Sequence, residues 1–265
     1  MSASLFRLVI GCILLSTTAF SQHKEIIISD SLSANSDKLS VKQGAQWPGR
    51  ISRFRFGDYA VVSSKTQGGS TTEKGGFSRA TVESKYKFSF VIADNSGDSA
   101  EVIVLRNTTT TALHEIEITS HFSVGDNELR EHSYNLSAFI VPAADTAEKW
   151  LLQMDTTVGN AAEEKYRSFI NNGTRTMNIA FTSSDKNHAP KPHFIAFPTF
   201  PALGYEFFEN ERPLAAVQYN SGGTNSKFKN IVWIARDLDN RMKLILAAAM
   251  TTVLQVTLNE TSIYD

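Results

Sequence analysis

Met242-Lys243-Leu244-Ile245-Leu246-Ala247-Ala248-Ala249-Met250-Thr251-Thr252-Val253-Leu254 decides how this chain folds. Every residue from Leu244 to Met250 is apolar. A helix that is apolar all round must be buried on all sides. A helix of this length spans only about 20 Å, too short for the ~30 Å core of a bilayer. Its surroundings are therefore protein. The three alanines let neighbouring elements approach its backbone closely. Just upstream, Arg236-Asp237-Leu238-Asp239-Asn240 supplies N-cap chemistry, so the helix is expected over about 240–254.

What can sheathe such a helix is written in the rest of the chain, which is dominated by strand signals. Lys229 to Ala235 reads as a strand. Tyr205-Glu206-Phe207-Phe208 and Pro213 to Tyr219 flank Glu209-Asn210-Glu211-Arg212 as a hairpin. Tyr166 to Ile170 and Thr174 to Phe181 flank Asn171-Asn172-Gly173, where Asn-Gly is a strong hairpin cue. Lys85 to Ala93 and Ala100 to Leu105 form another hairpin across Asp94-Asn95-Ser96-Gly97-Asp98. Leu113 to Phe122 and Ser133 to Val141 read as further strands. Ile51 to Val62 alternates around Arg53-Phe54-Arg55-Phe56 before turning at Gly57-Asp58. Trp150 to Asp155 reads as helix or strand, with strand preferred, and Ala143 to Lys149 as a helical turn. Lys65 to Gly76, with its paired glycines among Ser and Thr, reads as a long loop. Ile26-Ile27-Ile28 reads as a strand and Ser29 to Ser40 as a loop. The expected fold is mainly β: antiparallel sheets or a barrel of ten or more strands packed around one apolar C-terminal helix.

The opposite end of the chain is a targeting signal. Arg7 precedes Leu8-Val9-Ile10-Gly11-Cys12-Ile13-Leu14-Leu15, and Ala19-x-Ser21 fits the small-x-small cleavage rule. The expected division is a signal peptide over 1–21, a polar segment over 22–48 and a β-rich domain over 49–265. Val9-Ile10-Gly11-Cys12 also matches a lipobox, but the apolar run before Cys12 is short and continues past it. Cleavage is expected near Ser21-Gln22, leaving an exported chain that is secreted, periplasmic or envelope-associated and has no transmembrane helix. Cys12 is the one cysteine of the sequence, so the cleaved chain has no disulfide and no thiolate chemistry.

The 42% hydrophobic and 20% charged composition is that of a globular protein, and the net charge of -1 advertises no nucleic-acid partner. The chemical motifs are sparse. Gly68-Gly69 and Gly75-Gly76 lack the strand–loop–helix setting of a phosphate loop, and neither a Gly-x-Ser-x-Gly elbow nor a His-Glu-x-x-His pair occurs. Glu115, Glu117 and His121 share a strand face, but Glu117 and His121 lie about 13 Å apart, too far for one metal. His188 and His193 flank a Pro-containing loop and read as solvated. Asn107, Asn135, Asn172 and Asn259 head glycosylation sequons. No catalytic residue, metal ligand or cofactor is expected. The candidate ligand-binding residues are Arg53, Arg55, Lys85 and Lys87. Each pair shares one strand face, and adjacent strands would unite all four into a patch for an anion such as a phospholipid head group or a carboxylated glycan.

The C-terminal order of hairpin, strand, Asp-rich turn and apolar helix is carried by Glu209-Asn210-Glu211-Arg212-Pro213-Leu214-Ala215-Ala216-Val217 and by Val232 to Leu254. It resembles the end of the tubby-like family, with its plant LURP-one and phospholipid-scramblase relatives. In that family a closed barrel wraps a hydrophobic C-terminal helix, and the resemblance implies a membrane-associated or phospholipid-binding module. The export signal departs from a family whose members are mostly intracellular, and no binding residue is carried over. The expected function is an exported, non-enzymatic module that binds a protein partner or a small ligand. The alternatives are an extracytoplasmic hydrolase and a tubby-like phospholipid-associated module.

Overall fold

The computed structural model describes residues 24–45, 50–76, 79–113, 116–119, 122–124, 128–159, 165–185, 201–221 and 229–261. Strands dominate. They are β1 (Ser36–Ser40), β2 (Lys42–Gln43), β3 (Phe54–Phe56), β4 (Tyr59–Gly76), β5 (Arg79–Ala93), β6 (Ser99–Leu113), β7 (Ile116–Thr119) and β8 (Phe122–Val124). The series continues with β9 (Glu128–Pro142), β10 (Trp150–Val158), β11 (Lys165–Asn171), β12 (Thr176–Ser183), β13 (Leu203–Glu209), β14 (Arg212–Asn220) and β15 (Ile231–Ala235). Two helices join them, α1 (Asp30–Asn35) and α2 (Asn240–Thr261). Strands β7 and β8 form a separate two-stranded sheet, and the other thirteen form one antiparallel sheet in the order β1-β15-β14-β13-β12-β11-β10-β9-β6-β5-β4-β3-β2.

The two edges of that sheet are the same stretch of chain. β1 pairs with β15 (Ser36 opposite Ala235, Ser40 opposite Ile231), and β2, one residue further on, pairs with β3 (Lys42 opposite Arg55). Between them Val41 donates its N–H to the Asn230 carbonyl at 2.9 Å. The sheet therefore curls into a nearly closed barrel in which unpaired edges are largely removed.

Helix α2 fills the barrel. Residues 244–256 are buried without a break, and they join one core with Phe54, Phe56, Phe88, Phe90, Val102, Ile140, Trp150, Leu152 and Val232. Asp239 starts the helix: its carboxylate accepts from the Met242 N–H at 2.7 Å and its carbonyl from the Lys243 N–H at 3.0 Å. Arg241 anchors the entrance to the β9–β10 turn through Asp145 (2.9 Å) and Glu148. Three polar side chains travel inside. Thr252 donates back to the Ala248 carbonyl at 3.0 Å, whereas the Thr251 hydroxyl and both polar atoms of the Gln255 amide have no hydrogen-bond partner.

The outside of β14 and β15 is covered too. Ile26 and Leu32 pack on Ala202, Ala216, Ile231, Trp233 and Ala235. Hydrogen bonds hold this covering segment down: the Ile26 N–H donates to Gln218 Oε1 (3.0 Å), and Ser29 donates to Glu206 from both its N–H and its hydroxyl.

Several expectations are corrected. Lys65 to Gly76 is no loop: it continues β4, paired with β5 from Gly69–Tyr86 to Gly76–Arg79. Long-range pairing along an already formed ladder outweighs the local flexibility of Gly and Ser. Ser29 to Ser40 forms α1 and β1, because β15 supplies the missing partner, while Ile26–Ile28 is an extended cover rather than a strand. Ala143–Lys149 is a turn. The stretch from Leu113 is broken between β6 and the β7–β8 hairpin. Helix α2 extends past Leu254 to Thr261. Trp150–Val158 is a strand, as preferred, and the expected hairpins are present. The one at Asn210-Glu211 turns with both residues at positive φ (49° and 67°), the backbone of a tight hairpin turn.

Candidate functional site

With its interior packed, the barrel offers its outer wall for recognition, and among the described residues that wall opens at the seam between β11 and β12. β11 pairs with β12 only over Phe169–Asn171 with Thr176–Asn178. Beyond that point β11 stays with β10, down to Thr157 opposite Lys165, while β12 stays with β13, out to Ser183 opposite Leu203. The two strands part, and at the fork lies a cleft of about 470 Å³ lined by Tyr166, Arg167, Phe169, Asn171, Thr176 and Asn178 among others.

The closed side of the fork is fixed by its turn. Asn172 Oδ1 accepts from the N–H and hydroxyl of Thr174 and from the N–H of Arg175, and Asn171 Oδ1 accepts from the N–H of Gly173 at 2.6 Å. Gly173 has φ 92°, a conformation costly for other residues. Arg175 then grips Glu209 with two 2.7 Å hydrogen bonds, tying this turn to the end of β13. That grip holds the Glu209 carboxyl below its ordinary pKa. The lips of the cleft are therefore held by a rigid corner.

The outward side chains beside the cleft are hydrogen-bonded to one another. Ser137 donates to Gln153 Oε1 (2.7 Å), Gln153 Nε2 donates to Asp155 Oδ1 (2.6 Å), and Asn135 Nδ2 donates to that same oxygen. Asp155 Oδ2 is left as an acceptor. Phe139, 43% exposed, stands on this outer face, and Tyr166, 45% exposed, lies on the opposite face of β11. The Arg167 guanidinium lies 5.0 Å over the Phe169 ring. Fixed polar groups beside aromatic surface give orientation and contact area together.

On the inner side of the neighbouring strands, His132 meets the Thr110 hydroxyl at 2.9 Å, and burial lowers its pKa. Tyr59, near the β3–β4 turn, has its pKa pushed up to about 12, by burial first and then by Asp94, Asp58 and Asp37.

The four cations singled out in the sequence all face outward, as the alternation around Phe54, Phe56 and Phe88 requires. The structure does not bring them together. β4 lies between β3 and β5. Arg55 is level with Ala60 and hence with Ala93, six residues along β5 from Lys87, which is about 20 Å. Arg53 and Arg55 sit instead by the closing segment, with Lys42 opposite Arg55. Lys85 and Lys87 belong to the wall that leads to the cleft. Glu115, His121, His188 and His193 lie outside the described residues. Among the described residues, no group of three or more His, Cys, Asp or Glu is placed to hold a metal, and no helix is long and apolar enough to cross a membrane.

The cleft escaped the sequence reading because it is a property of pairing. Strand length carries no sign of it, since β11 and β12 have seven and eight residues. Compared with protein-family models, with curated proteins and with solved structures, the chain matches none.

Proposed function

We propose that this protein is an exported, non-catalytic module that binds a carbohydrate in the β11–β12 cleft. The observation that carries the reading is the cleft's lining. It combines the amide of Asn178 and the Asn171–Thr176 hydrogen-bonded pair with the Phe169 ring on the outer face of β11, and Tyr166 borders the cleft from the opposite face. Sugars present the matching chemistry, with hydroxyls that both donate and accept and C–H faces that pack on rings. Among the described residues the lining carries amides and hydroxyls, groups that suit binding of sugar hydroxyls. Export rests on residues 1–21, which lie outside the described residues. The test is titration calorimetry with a panel of neutral oligosaccharides on the wild type, Phe169→Ala and Asn178→Ala. Binding by the wild type, weakened at least tenfold in both variants, is expected. Equal binding by all three would move the site elsewhere.

One observation favours a second reading, a tubby-like phospholipid-associated module. The sheet wraps the C-terminal helix, which is the architecture that the resemblance implies. Such a module should co-sediment with vesicles containing anionic phospholipid, and indifference to such vesicles would remove this reading.

A further inference from the structure

The wall between the cleft and β5 is continuous, and its outward residues fall into rows. Cross-strand partners share a face. One row runs Lys85, Asn107, Asn135, Asp155, Arg167 across β5, β6, β9, β10 and β11. The next runs Lys87, Leu105, Ser137, Gln153, Phe169 and ends in the cleft at Asn178. From β5 to β11 the path is about 19 Å at the usual strand spacing. Its middle is the Asn135–Asp155–Gln153–Ser137 network, whose side chains are already held in one arrangement.

The charge on this wall is uneven. Lys65, opposite Ser89 on β4, joins Lys85 and Lys87 at one end, and Arg167 stands at the other. Among the described residues none of these four cations forms an ion pair. Among the described residues the carboxylates on the same wall are Glu101, Glu131 and Asp155, the last engaged by two amides, while Glu83 is taken by Lys74. The cations outnumber the carboxylates, so the wall complements a negative ligand.

We propose that this wall is a track for an acidic polysaccharide. One end of the chain sits in the cleft, its hydroxyls meet the amide row, and its carboxylates reach Lys85 and Lys87. The inference rests on the cleft's being a carbohydrate site, and its test separates the two. The probes are galacturonate oligomers of two and eight units, a neutral glucan octamer and inorganic polyphosphate. They are titrated on the wild type, on the double variant Lys85→Gln/Lys87→Gln and on Phe169→Ala.

The acidic octamer should bind at least tenfold tighter than the acidic dimer and the neutral octamer, and that advantage should fade as salt rises. The double variant should lose the length advantage and keep dimer binding, whereas Phe169→Ala should weaken both. Equal affinity for acidic and neutral octamers, or an unchanged double variant, overturns the track and leaves the cleft standing. Polyphosphate binding as tight as that of the acidic octamer overturns it as well, since bare charge would then suffice. Absence of any sugar binding overturns both readings.

Discussion

Ala248→Asp puts a carboxylate at the centre of the plug. Ala248 is 0% exposed, as are Ala247 and Ala249 beside it. A carboxyl in such a place has its pKa raised by up to about 3–5 units, which at about 1.4 kcal/mol per unit is about 4–7 kcal/mol. A domain's whole stability is about 5–15 kcal/mol. The sign follows from linkage. The folded pKa lies above the unfolded value of about 3.9, so below that value both states are protonated and ionisation costs nothing. As pH rises beyond it, the unfolded chain sheds the proton and the folded one resists, and stability falls by about 1.4 kcal/mol per pH unit. Ala248→Asn carries the added volume and polarity without the titration. In urea unfolding the two variants should match near pH 4 and differ by about 4 kcal/mol at pH 7, with failure of the Asp variant alone to fold at pH 7 as the limiting form of the same result. Equal stability of the pair at both pH values would mean that water reaches position 248 and that the helix is not sheathed.

Gln255→Leu should raise stability by about 1–3 kcal/mol, because it removes two buried polar atoms that have no partner; a loss of that size in thermal unfolding would show that the amide is satisfied in solution. Asp239→Ala should cost about 1 kcal/mol by deleting the cap on Met242, and an unchanged melting temperature would contradict the cap. Burial depresses the His132 pKa below its ordinary 6.5, so the stability its neutral form contributes is present above that value and lost as pH falls through the folded pKa. His132→Gln should therefore flatten the stability–pH curve below about pH 6.5, and parallel curves for variant and wild type would count against it.

Local chemistry that needs only neighbours was readable from the sequence. Asp239 announces the cap, Asn172-Gly173 the β11–β12 turn, and the unbroken apolar run at Leu244–Met250 a helix that needs a sheath on every side. That run together with the strand signals in the rest of the chain gives a β-rich shell around the helix. What depends on distant partners was not readable. Ser36–Gln43 is polar and short, and it becomes the closing strand only because β15 and β3 offer it two ladders. Lys65–Gly76 has the composition of a loop and is drawn into β4 by β5. For the site, the alternation correctly put Arg53, Arg55, Lys85 and Lys87 on the outside. Strand order, which alternation does not encode, separates the pairs. The cleft is less legible still, since it exists where β11 and β12 cease to pair.

The claim that the β11–β12 fork is the binding site is met most directly by amide NMR on the labelled full chain during titration with a galacturonate octamer. The account predicts saturable shifts concentrated at Tyr166–Phe169 and Thr176–Ile179, extending to Lys85 and Lys87. Shifts confined to other surfaces, such as Lys42 with Arg53 and Arg55, or no shifts at all, would contradict it.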